Sequence, residues 1–125
     1  MELAPIEQAF VTYLSPAGFH VGTRVPNQRP QQFVRVTRTG GPTPNMTISE
    51  PTLLVECWGA TDALAWAVAA AVWPLCHVPH AVQLSPTVWA SRVQATEPVN
   101  FPDSTSGASR YQFIATPRVA LGVSA

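Results

Sequence analysis

Residues 3–14 place their larger apolar side chains at Leu3, Ile6, Phe10, Val11, Tyr13 and Leu14, close to an i, i+3, i+4, i+7 spacing, with Glu7 and Gln8 on another face. The spacing predicts a short amphipathic helix. It ends at Ser15-Pro16-Ala17-Gly18, where proline lacks the amide that a helix interior needs and glycine can turn left-handed. A strand is expected over 20–25, then a turn at Pro26-Asn27-Gln28-Arg29-Pro30. Over 32–39, Phe33, Arg35 and Thr37 alternate with Val34, Val36 and Arg38, the period of a half-exposed strand hairpinned to the first. Residues 40–51 hold three prolines and two glycines, which leaves little for a ladder to pair, and a long mobile loop is expected there.

A mostly apolar strand follows over 52–58, with Glu56 as its one charge. Thr61 and Asp62 then supply an N-cap and a first-turn acid to the Ala-rich run over 63–73, a second helix that Pro74 ends or kinks. Leu64, Val68, Ala71 and Val72 fall on one stripe of it, and Trp66 and Trp73 on the neighbouring face. Segments 87–97 and 109–121 read as two further strands joined by a polar link, with Pro117 confining the end of the last one to an edge or bulge. The order is helix, two strands, loop, strand, helix, two strands, with a hairpin at each end of the pattern. The expected fold is therefore α+β: a single domain over 1–125, with four or five mostly antiparallel or mixed strands and both helices packed on one face.

Composition narrows the function. Of 125 residues, 46% are hydrophobic and 11% charged, and seven arginines, with no lysine, balance seven acids. That is one globular domain with a core large enough to need neither disulfide nor structural metal. Zero net charge argues against a sequence-independent nucleic-acid binder. No basic and apolar leader opens the chain, so a reducing, cytoplasmic setting is expected. The most apolar stretch, 63–76, is too short to span a bilayer, and no membrane partner is expected.

No catalytic constellation emerges. Cys57 could be matched with His77, His80 and Asp62 as nucleophile, base and orienter, but it lies mid-strand with no turn to expose it, where a small buried hydrophobe is the simpler role. Cys76, His77 and His80 offer at most three metal ligands, with no distant cluster to complete a tetrahedron. The acids are dispersed singly, and Gly40-Gly41 precede a proline instead of a helix, so no phosphate-binding loop is present. No cofactor, metal or enzymatic activity is expected. What stands out is Arg24, Arg29, Arg35 and Arg38 within fifteen residues, interleaved with Val25, Phe33, Val34 and Val36. Such a segment is either a solvated strand face or a protein interface, where the planar guanidinium makes several directional bonds. Four tryptophans, Trp58, Trp66, Trp73 and Trp89, exceed the needs of a small core, and one or two at a subunit contact would fit.

Several short motifs occur in a familiar order. They are Val25-Pro26-Asn27-Gln28-Arg29-Pro30, Phe33-Val34-Arg35-Val36-Thr37-Arg38-Thr39-Gly40-Gly41, Leu54-Val55-Glu56-Cys57-Trp58-Gly59-Ala60 leading into an Ala-rich helix, and Ser109-Arg110-Tyr111-Gln112-Phe113. Together they resemble the tail terminator (tail completion) proteins of long-tailed bacteriophages, in the form common among phages of actinobacterial hosts. Pro74 and the segment from Cys76 to His80 depart from that pattern. The resemblance implies a virion protein, assembled in the host cytoplasm, that forms a homo-hexameric ring, caps the tail tube, stops its polymerisation and offers a docking surface to the head. The implied partners are further copies of the chain, the tail tube protein and a head-tail connector or neck protein. Sequence-specific nucleic-acid binding is not implied, although the genome would pass through the ring lumen. Arg24, Arg29, Arg35, Arg38 and Arg110, with Gly40, Gly41 and Met46 of the loop, are then expected at subunit or tube contacts. A head-closure or neck protein of the same virion is the nearest alternative, and a small cysteine hydrolase using Cys57 the one from another class.

Overall fold

The computed structural model describes residues 3–121 and shows a mixed α+β fold with two helices and a curled sheet. Helix α1 spans Ile6–Leu14 and closes through a short turn of tighter helix, Ser15–Ala17, onto Gly18 at φ 96°. Its buried residues Ile6, Ala9, Phe10 and Leu14 keep the spacing expected of one apolar stripe. Helix α2 spans Asp62–Cys76, and the Thr61 side chain accepts a hydrogen bond from the Leu64 amide. Pro74 does not end it. Pro74 and Ala70, whose carbonyl loses its usual donor, both lie on the solvent side, where water can supply the missing bond. The buried stripe is Ala65, Val68, Ala69, Val72 and Cys76, so Ala71, expected inside, faces out.

The strands are β1 (His20–Gly22), β2 (Gln32–Gly40), β3 (Ile48–Ser49), β4 (Thr52–Gly59), β5 (Val82–Ser85), β6 (Val88–Ala95), β7 (Val99–Asn100) and β8 (Ser109–Ala120). They form one sheet in the order β1-β2-β4-β8-β6-β5, with β3 and β7 attached to the two flanks of β8. Eight strands exceed the four or five expected, because β3, β5 and β7 have two to four residues each, too few for a period to show. The expected first hairpin is corrected: β1 runs parallel to β2, pairing His20 with Phe33 and Gly22 with Arg35. The connection over 23–31 has to return only the length of a three-residue strand, so no crossover helix is required.

Pro117 does not lie on an edge strand, but a bulge stands beside it, where the β6–β8 register shifts between Ala90 and Arg92. It lies in the interior strand β8, fully buried opposite Val93. Val93 spends its amide and carbonyl on Val78, so nothing is asked of Pro117 on that side. On the other side, the shared register of β3 and β4 with β8 sets the buried Pro51 opposite Pro117. Neither has an N–H, which is why the ladder breaks there into β3 and β4.

Alternation assigns the faces. Val34, Val36, Leu53, Val55, Cys57, Phe113, Ala115, Val93 and Ala90 point inward and form one core cluster with α1 and α2. Helix α2 lies over β4, β8, β2 and β6, while α1 touches β5 at one end of the strand order and β1 and β2 at the other. The sheet therefore curls, and α1 closes the gap between its two ends. No helix among the described residues is long and apolar enough to cross a membrane.

Candidate interaction surface

The expected arginine cluster is divided by strand parity. Arg35 lies on the outer face of β2 and donates from Nε to the Thr23 carbonyl at 3.4 Å. Arg38, three residues on, lies on the opposite face, where Nη1 approaches the Ala4 carbonyl at 3.4 Å. Its backbone amide is held by Glu7 Oε2 at 3.0 Å, so α1 covers β2 beyond the point where β1 stops. Thr23 and Arg38 share a groove of about 280 Å³ with the start of α1. Arg24, next along the chain, is exposed and has no ion-pair or hydrogen-bond partner among the described residues. Arg35 and Arg38 thus approach the Thr23 end of β1 from opposite faces of the sheet, and Arg24 follows it in the chain.

Arg29 and Arg110 belong to a second cluster, around Trp58 on the outer face. Trp58 stacks on its cross-strand neighbour Phe33, with ring centroids 5.3 Å apart. The guanidinium groups of Arg29 and Arg110 lie 5.3 and 5.0 Å from the Trp58 ring centroid. Arg29 also donates to Ser106 at 3.0 Å, which draws the loops on either side of Trp58 together over it.

Glu56, the one charge of β4, is 4% exposed and is the centre that the sequence did not mark as a contact residue. Its Oε2 accepts from Arg110 at 3.0 Å, and its Oε1 is 3.5 Å from Arg35, an ion pair without hydrogen-bond geometry. Arg110 also donates to the Phe101 carbonyl at 2.9 Å and lies 4.0 Å from Asp103. Hydrogen bonds from Ser106, with Arg110 adding a smaller effect, hold the Asp103 carboxyl below its ordinary range. A lone carboxylate in an apolar strand, facing an arginine at the paired position of the next strand, is the signal that could have located this hub.

The segment expected to be loop is loop over 41–47 and strand at Ile48–Ser49. Gly40 and Gly41 have φ of 118° and 116°, and a Cβ on Gly41 would collide with the Glu50 carbonyl. Asn45 Oδ1 accepts from the amides of Thr47 and Ile48, and the Glu50 amide donates to the Pro42 carbonyl at 2.9 Å. Met46 stands 77% exposed at the tip.

Cys57 faces the core and is fully buried, and burial, with the Glu56 charge adding, pushes its thiol up to about 12. Cys76 is buried too and its thiol is likewise pushed up, while His77 accepts from the Ala95 amide at 3.2 Å and stacks on Trp73. Among the described residues, no three His, Cys, Asp or Glu side chains are grouped to hold a metal ion. On the flank of α2, Trp66 and Trp73 line a groove of about 310 Å³ with Glu97 and Pro98. No family model matches this chain, and a search of curated proteins returns no significant match.

Proposed function

We propose that this chain is a structural subunit of a long-tailed bacteriophage, a tail terminator that closes into a ring on the end of the tail tube, arrests polymerisation and offers the head its docking surface. The observation that carries the reading is the β1–β2 edge, where Arg35 and Arg38 approach the Thr23 end of β1 from opposite faces and Arg24 stands exposed next in the chain, on a molecule with no net charge. A head-to-tail ring needs two unlike, complementary patches on each subunit, and a concentrated cationic edge supplies one of them. The exposed 41–47 loop, braced at Gly41 and by Asn45 and ending in the solvated Met46, suits contact with the tube end. The tube protein, the neck protein and further copies of the chain are the proposed partners. Cys57 offers a hydrolase little, since its thiol faces the core and is held protonated.

The test is negative-stain electron microscopy of particles produced with and without this gene, followed by addition of the purified protein to the defective lysate. Termination predicts over-long tubes unattached to filled heads, corrected by the added protein. Tails of normal length that fail to join heads would replace this reading with a neck protein. The variant Arg35→Ala/Arg38→Ala is expected to lose capping, and intact capping would remove the arginine edge from the mechanism.

A further inference from the structure

We infer that the groove between Trp66, Trp73 and Glu97 receives the Arg24 edge of a second copy of this chain. This rests on the ring reading above and supplies its second patch. Inside one molecule, four arginines are matched to an acid or an aromatic face: Arg110 and Arg35 to Glu56, Arg118 to Glu50, and Arg29 and Arg110 to the ring of Trp58, whereas Arg38 and Arg92, both half-buried, and Arg24 have neither among the described residues. Among the exposed groups left over, two are complementary. Arg24 is exposed with neither acid nor ring against it among the described residues. Trp66 is 50% exposed and carries no guanidinium, and Glu97 beside it is exposed with no ion-pair or hydrogen-bond partner among the described residues.

These remainders are not paired with each other within one chain. Arg24 follows β1, the end strand of the sheet, whereas Glu97 lies between β6 and β7, with β2, β4 and β8 intervening. Paired between copies, the two patches are unlike, so the contact is heterologous and repeats around a ring instead of ending at a two-fold dimer. A guanidinium entering the groove would stack on an indole and meet a carboxylate, the same two interactions that hold Arg110 in place. The groove, about 310 Å³ and walled by two indoles and a proline, is apolar enough to strengthen that ion pair by excluding water.

The contact is tested with Arg24→Glu and Glu97→Arg, both at exposed positions, by native mass spectrometry and by the tryptophan emission of the full chain, alone and with purified tail tubes. Each variant alone is expected to associate at least about tenfold more weakly than the wild type. An equimolar mixture should recover association, because Glu at position 24 of one variant then meets Arg at position 97 of the other, and the native Arg24 and Glu97 meet at the alternate contacts. Tryptophan emission should shift to the blue on association, as Trp66 leaves water. If the wild type associates and both variants associate equally well, or their mixture recovers nothing, the contact is overturned and the ring reading stands. A wild type that stays monomeric both alone and on tube ends overturns both.

Discussion

Glu56 shows how much one side chain can organise. It is nearly buried on a sheet face that no helix covers, and it holds Arg110 directly and Arg35 at longer range. Removing one partner of a buried ion pair strands the other charge, so Glu56→Ala should cost about 3 kcal/mol, read as a lowered urea midpoint. Glu56→Gln keeps an acceptor for Arg110 and should cost less. Cys57 yields a pH prediction. Its thiol titrates at 9.0 when unperturbed and at about 12 in the fold, so between these values the unfolded chain gives up a proton that the folded chain keeps. The contribution is fully present below pH 9 and is lost as pH rises towards 12, and Cys57→Ala should flatten the decline in thermal midpoint across that window. A thiol reagent at pH 8 should label Cys57 only after denaturant is added. That Cys57 would be buried was legible in the apolar strand around it. That Glu56 would also be buried was not, because its arginines come from two other strands, one 21 residues before it and one 54 after.

At the scale of elements, the join between β4 and α2 leaves no room for a side chain. A Cβ on Gly59 would collide with the Ala65 amide, so the first turn of α2 sits directly on the end of the strand. Gly59→Ala should therefore force the helix off the sheet at a cost of about 2 kcal/mol, measurable by denaturant unfolding, with earlier hydrogen exchange over the first turns of α2. Helix α2 was legible because its cap, first-turn acid and alanine run are all local signals. Its passage through Pro74 was not, since tolerance depended on Ala70 facing water, which follows from how the helix is rolled on the sheet. Strand β2 showed its two faces in its alternation, and this parity already separated Arg35 from Arg38. The hairpin expected of β1 and β2 is replaced by a parallel pair, because a three-residue strand carries no local signal of its direction and its connection is long enough to return it.

Across the whole molecule, α1 is the closure. It spans from β5 to β1 and β2, the opposite ends of the strand order, and Phe10 is its largest fully buried side chain. Phe10→Ala should cost about 4 kcal/mol in denaturant unfolding, because a cavity opens where two sheet ends and a helix meet and little can collapse into it. The exposed Trp66, Trp89, Val99, Phe101 and Met46 lie outside this core and remain available for contacts with partners. The amino-acid sequence by itself determined the helices, the long strands, their inward and outward residues and the mixed α+β class, since these follow from periodicity, caps and prolines acting over a few residues. Only the tertiary structure decided the strand order, the parallel β1, the pairing of Pro51 with Pro117, the split of the arginines into two clusters and the burial of Glu56. Each of these depends on which distant segments become neighbours, a choice made by the packing of the whole core.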